Sequence, residues 1–281
     1  MDAIFTWKNL STAKELQSTF FWHYAKISVQ TASKYHKTIL YTDTKGAKQF
    51  KNNGIGFDEV VILKEIEDIT GSLICIPKIY TMLQRTEPYV HLDFDIFTNR
   101  EYHTYEPIAF GYPEVNLKKY FGLTELRYLN DNYLNAYEKE FYMYFDGKNW
   151  DWRLIPNFGV FIVNNPSLVK DIFSRILKKI ERFEPSSSTK HEYASFIEQF
   201  LFMRYVEEFD IDYEFIYDKS PFTFKDSNFV YVKDKMINVS YKSGISTHLN
   251  TLKFAHFHGY RKFPTFSNTI IKKLITKENP I

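Results

Sequence analysis

The sequence predicts an α/β fold, a mostly parallel central sheet with helices on both faces. Three observations predict it. Strand-like and helix-like runs alternate through the first hundred residues, the pattern of a parallel sheet wound with crossover helices. Acidic residues fall where two of those strands end, at Asp43 and at the Asp93/Asp95 pair. Ligands of such sheets sit beyond the carboxyl ends of the strands. Finally, 281 residues with 44% hydrophobic and 25% charged side chains suffice for one large domain and exclude general disorder.

Each element has its own signal. Residues 3–7 read as a short strand, and residues 20–36 carry helical spacing at Phe21, Ala25, Val29 and Ala32. Residues 38–41 are a buried strand ending in Thr42-Asp43. Residues 45–52 form a second helix, stopped by Asn53-Gly54. Residues 59–63 are a third strand, and residues 77–85 a helix with Pro77 in its first turn. Residues 89–92 make a fourth strand that runs into Asp93-Phe94-Asp95.

The second half is more mixed. Residues 107–111 and 159–163 read as strands, and residues 117–140 as a Tyr-rich loop with short helix on the acceptor side. Residues 166–183 form an amphipathic helix with Leu168, Ile172, Ile176 and Ile180 on one face. A Ser-rich linker, 185–190, leads to a helix over 193–206. Residues 230–232 and 235–239 are expected to pair as a hairpin. The tail around 270–275 is rich in Ile, Leu and Lys, which suits core packing or a peripheral membrane contact.

Composition narrows the function. Net charge is +2 with no long basic stripe, so nucleic acid is not an expected partner. Cys75 is the only cysteine, which excludes an internal disulfide and a cysteine-based zinc site and fits a reducing, cytoplasmic compartment. No signal peptide or membrane-spanning run is expected. Aromatics reach 19%, enough to fill a core and to line a cleft that stacks on flat or sugar-like ligands.

Two constellations carry chemistry. Asp93 and Asp95, two apart at a strand's end, can converge on one hard divalent cation, Mg²⁺ or Mn²⁺, which leaves positions open for two phosphates. Near the other end lies His256-Phe257-His258-Gly259-Tyr260-Arg261-Lys262. His256 offers an imidazole for the metal, Gly259 permits close backbone approach, and Lys262 supplies a point charge for phosphate. His91 is on a buried strand face and reads as a core histidine.

His-x-x-Gly-x-x-Lys after an upstream Asp-x-Asp resembles glycosyltransferase family 8, the family of glycogenin and the bacterial lipopolysaccharide galactosyltransferases. Asn157-Phe158-Gly159 resembles that family's Asn-x-Gly strand, and Glu198-Gln199 its acidic-Gln pair. The family continues with Pro-Trp after the lysine. Here Phe263 precedes Pro264 and no Trp follows, so the chain reads as a divergent relative.

The resemblance implies a Rossmann-like GT-A fold and a metal-dependent hexosyl transfer from a UDP-sugar with retention. It implies one domain over 1–264, with a nucleotide-binding half at 1–100, a donor-sugar and acceptor half at 101–264, and a tail at 265–281. It places Asp93, Asp95 and His256 on the metal, and Gly259 and Lys262 on the diphosphate. Asn157, Gly159 and Lys78 fall near the donor, with Glu198 or Gln199 beneath the reacting carbon. Asp43 stands where such folds meet the nucleotide, or caps the helix that follows. The acceptor is expected to be a glycan, a lipid-linked sugar or a protein.

Other readings stay open. An inverting transferase on the same fold would need a base such as Asp151 or Glu198. A catalytically inactive sugar- or nucleotide-binding module would keep the fold without turnover. A nucleotidyltransferase usually has a Gly-rich loop near the N-terminus, and residues 1–20 contain no Gly.

Overall fold

The structure, a computed structural model, describes residues 1–8, 19–69, 75–98, 100–111, 113–115, 154–180, 196–216, 229–232, 235–238 and 252–256. The expected loop at 117–140, the linker at 185–190, Asp151, His258, Gly259, Lys262 and the tail lie outside the described residues.

The fold is α/β. In chain order, the first half contains β1 (Asp2–Trp7), α1 (Thr19–Ala32), β2 (Thr38–Thr42), α2 (Thr44–Asn52), β3 (Glu59–Ile62), α3 (Cys75–Gln84), β4 (Tyr89–Leu92) and β5 (Ile96–Thr98). Then come β6 (Ile108–Phe110), β7 (Pro113–Val115), β8 (Leu154–Pro156), β9 (Val160–Val163) and α4 (Pro166–Ile180). A π-helical segment, Phe196–Leu201, runs into α5 (Phe202–Glu208), followed by β10 (Tyr213–Phe215), β11 (Phe229–Val232), β12 (Lys235–Asn238) and β13 (Leu252–His256).

A 7-stranded sheet in the order β10-β6-β9-β4-β1-β2-β3 forms the centre. Its β1, β2, β3 and β4 pair in parallel, as do β6 and β10, and β9 runs antiparallel between β4 and β6. Because successive side chains alternate faces, the strands build two cores. Ile4, Ile39, Tyr89 and Phe161 face α3, α4 and α5 through Ile79, Met82, Ile172, Phe173 and Phe202. Ala3, Phe5, Leu40, Val90 and Ile162 face α1 and α2, meeting Phe21, Ala25, Val29, Ala32 and Phe50. All four positions expected to face the core from α1 do so.

In α4 the buried stripe is Val169, Ile172, Phe173 and Ile176, with Leu168 only partly buried. The stripe keeps the expected Ile172 and Ile176 and adds Val169 and Phe173, the latter packed on Phe202 at 4.9 Å.

A second sheet, β12-β11-β13-β5, is antiparallel and contains the expected hairpin as β11 and β12. β7 and β8 pair separately. Among the described residues, no helix is long and apolar enough to cross a membrane.

Candidate functional site

The sheet order places a topological switch between β1 and β4. From β1 the chain winds outward through β2 and β3, then crosses back to β4 on the other side. In open α/β sheets the crevice beyond the carboxyl ends of the strands at such a point is where ligands bind. The residues at that edge are Lys8 after β1, Asp43 after β2 and Asp93 after β4.

Asp93, Phe94 and Asp95 form a tight turn rather than a strand continuation. The Ile96 N–H donates to the Asp93 carbonyl at 3.1 Å, closing the turn between β4 and β5. Strand alternation therefore does not set the direction of the two carboxylates; the turn does. Phe94 anchors it in the core, stacked on Phe5 at 5.2 Å and packed on Phe21 and Phe50, while Asp93 and Asp95 stay half-buried. The Asp93 N–H donates to the Gly159 carbonyl at 2.9 Å, and the Ser28 hydroxyl donates to the Asp93 carbonyl at 3.3 Å. The backbone of Asp93 is thus fixed from two sides.

Asn157 and Gly159 take part in that fixation. The Asn157 Oδ1 accepts the Gly159 N–H at 2.8 Å, a local side-chain turn at the entry to β9, and Asn157 is buried. The pair is thereby joined to Asp93 through the Gly159 carbonyl.

Lys78, on the first turns of α3, reaches the same place. Its Nζ lies 2.7 Å from Asp93 Oδ1 and 3.0 Å from Glu198 Oε1. Glu198 sits in the π-helical segment, a form of helix that recurs at functional sites. It is buried, and Gln199 beside it is half-buried. One ammonium thus serves two carboxylates. Burial alone would push Lys78 down, but Asp93 and Glu198 together outweigh it and hold the ammonium charged well above the usual lysine range. Beneath, the Cys75 thiol is pushed up, first by burial and then by Glu198.

A hydrogen-bond chain lies under this cluster. The Thr81 hydroxyl donates to the Pro77 carbonyl at 3.0 Å, so its oxygen accepts from the Thr6 hydroxyl at 2.9 Å. Thr6 then has no proton left for His91, so His91 Nε2 must donate to Thr6 Oγ1 at 3.1 Å. His91 is therefore the Nε2–H tautomer. Its Nδ1 is buried with no hydrogen-bond partner among the described residues. Burial, and then the charge of Lys78, holds the ring neutral. This fits its reading as a core histidine.

Asp43 has a different surrounding. It is the N-cap of α2, where its Oδ1 accepts the Gly46 N–H at 2.7 Å. Its Oδ2 pairs with Lys8 Nζ at 2.8 Å, and Lys8 also donates to the Glu67 carbonyl at 2.8 Å. Both carboxylate oxygens are engaged by the fold itself. Sequence reasoning missed Lys8; the available signal was a lysine directly after the apolar run of β1.

The placement of His256 comes from the backbone. β13 pairs antiparallel with β5, and the register sets His256 opposite Ile96, the residue after Asp95. Among the described residues, no three His, Cys, Asp or Glu group as a metal site. The fold thus gathers Lys78, Asp93, Asn157, Gly159 and Glu198, with Asp95 and Gln199 adjacent in sequence, and brings β13 to the same edge.

Comparison with solved structures finds similarity to several glycosyltransferases. One is involved in glycosylation of the major capsid of PBCV-1, at 12% identity over 98% of this chain and 99% of that one, with a TM-score of 0.40. Another is mouse xyloside xylosyltransferase 1, at 8% identity over 76% and 84%, TM-score 0.43. A third is the PaToxG glycosyltransferase, at 11% over 74% and 68%, TM-score 0.40. No curated protein matches. The resemblance to glycosyltransferase family 8 is one of short motifs, and no comparison shows that family. A family model matches residues 9–280, and the chain belongs to that family, the family of unknown function DUF6734.

Proposed function

We propose that this chain is a metal-dependent glycosyltransferase of the GT-A type, moving a hexose from a UDP-sugar to a glycan, lipid-linked or protein acceptor with retention. The observation that carries the reading is the Lys78–Asp93–Glu198 cluster at the switch point of the sheet, with distances of 2.7 and 3.0 Å. The family-like order of Asp-x-Asp, Asn-x-Gly, Glu-Gln and His-x-x-Gly-x-x-Lys adds to it. A reducing, cytoplasmic setting accords with the single cysteine.

The donor set suits a hard divalent cation. Asp93 and Asp95 offer carboxylate oxygens from one turn, and the β5–β13 register brings the His256 backbone beside them. Asp93, Asp95 and His256 would hold the ion, which when bound would neutralise charge on the departing diphosphate. The remaining work falls to the chain's own groups. Gly159 and Ser28 keep Asp93 in place, and Asn157 keeps Gly159 in place. Lys78 and Glu198 offer a donor and an acceptor side by side, a pair suited to orienting sugar hydroxyls. Gln199 or Glu198 faces the anomeric carbon as its bond to the diphosphate breaks. The acceptor's oxygen bonds that carbon on the same face, and its proton passes to the leaving phosphate oxygen. Gly259 and Lys262 would contact the diphosphate.

The test is UDP release from a panel of UDP-sugars, with Mn²⁺ and with EDTA, beside an Asp93→Ala/Asp95→Ala variant. Release that needs both metal and the two aspartates supports the reading, and the anomer formed separates retention from inversion. No release from any donor would point instead to an inactive binding module.

A further inference from the structure

Lys78 has a consequence for the order in which the site fills. Its ammonium rests 2.7 Å from Asp93 Oδ1, the carboxylate that the proposed function gives to a divalent ion. A cation at that oxygen and an ammonium at the same oxygen repel each other at close range, where an interior dielectric leaves the repulsion large. Lys78 is also tied to Glu198 at 3.0 Å and is only 17% exposed, so water does little to screen it.

We propose that Lys78 is a resident counter-ion of Asp93, which holds the cation's place in the ligand-free protein and makes metal loading depend on an anionic ligand arriving with it. This rests on the reading of Asp93 as a metal ligand. Without an anion, a divalent ion must displace the ammonium from Asp93 and leave it on Glu198 alone. With a diphosphate present, phosphate oxygens compensate both positive charges, and the two cations share the site. Metal and nucleotide affinities are then coupled, each raising the other by the same factor.

Mn²⁺ binding is the direct probe, read from the electron paramagnetic resonance of the free ion, with and without uridine diphosphate. Wild type, Lys78→Arg, Lys78→Met and Asp93→Asn are compared, each checked for folding by circular dichroism. Wild type and Lys78→Arg are expected to bind Mn²⁺ weakly alone and at least about tenfold more tightly with the nucleotide. Lys78→Met is expected to bind Mn²⁺ alone about tenfold or more tighter than wild type, with the nucleotide effect shrunk to a few-fold. Asp93→Asn should lose the ion. If Lys78→Met does not fold, Lys78→Met/Glu198→Gln, which removes the second carboxylate's charge, is expected to show the same tightening. Binding by these lysine variants no tighter than wild type, with Asp93→Asn still deficient, overturns the counter-ion role and leaves the metal site standing. Equal Mn²⁺ binding by Asp93→Asn and wild type, or none by any variant, overturns the metal site and the counter-ion role together.

Discussion

Two lysine–carboxylate clusters stand at the carboxyl edge of the sheet, and they differ in how completely the fold has closed them. In the first, Lys8 and Asp43 are 6% and 3% exposed at the side chain and meet at 2.8 Å. Every oxygen of Asp43 is engaged, one by Lys8 and one by the cap of α2. In the second, Lys78 is 17%, Asp93 30% and Glu198 11% exposed, and one ammonium is divided between two carboxylates. A closed pair has no capacity left for a ligand. A partly open trio with an excess of negative charge keeps a place for a cation and for polar groups. Position at a strand end does not by itself make an aspartate a ligand; what its oxygens already touch decides.

The largest expected effect is a crossed result between the two aspartates. Asp93→Ala should lower UDP release from the active donor by about a hundredfold or more while lowering the urea unfolding midpoint less than Asp43→Ala does, because Lys78 keeps Glu198 as a counter-ion. Asp43→Ala should act through stability, since it removes a cap and leaves the buried Lys8 ammonium without its carboxylate, held only by the Glu67 carbonyl, at about 3–5 kcal/mol. Comparable losses of stability in both variants would erase the distinction.

Next come the lysines. Lys8→Met leaves Asp43 buried with its Oδ2 unpaired and should cost about 3–5 kcal/mol in urea unfolding. Lys78→Met leaves the buried Glu198 without its ammonium but also Asp93, which is 30% exposed and which water reaches, so its cost should be smaller.

Packing around the closed pair gives a lesser effect. A Cβ on Gly46 would overlap Thr42 Oγ1 and lie 2.7 Å from Asp43 Oδ1. Gly46→Ala gains about 1 kcal/mol of helix propensity, but the overlap should cost about 1–3 kcal/mol or more, so a net loss in unfolding is expected.

The smallest effect lies away from both clusters, at His36. Its Nε2 accepts the Tyr102 N–H at 3.2 Å, so its Nδ1 must donate to the Met1 carbonyl, 3.0 Å away. Burial, ahead of the other influences, holds the imidazole below its ordinary value of 6.5. The folded ring binds a proton less readily than the unfolded one. Its contribution is therefore full above the unfolded value and is lost as pH falls through 6.5 toward the lowered folded value. Unfolding midpoints measured from about pH 7.5 down to about pH 5.5 should decline in wild type and decline less in His36→Gln.

Much of the central sheet was legible. β1, β2 and β4 are covered on both faces, so 3–7, 38–41 and 89–92 stand out as apolar runs between turn residues. The helix at 20–36 was legible for the same reason, its period setting Phe21, Ala25, Val29 and Ala32 on one side. Short strands such as β5 and β10 gave no period to read, and the pairing of β13 with β5 is a contact between distant segments that no local pattern encodes. In the candidate site, Asp93 and Glu198 were individually visible as motif residues. Their union through Lys78 was not, because it depends on how α3 and the π-helical segment pack. Asp43 had two readings in the sequence. Lys8 accounts for its second oxygen, which no cap rule predicts.

The most direct test of the account is calorimetric titration of uridine diphosphate into wild type and Asp93→Asn, each with Mn²⁺ and with EDTA. Wild type is expected to bind with Mn²⁺ and to lose binding with EDTA or on substitution of Asp93. Equal binding with EDTA, equal binding by Asp93→Asn, or no binding by wild type under either condition would contradict it.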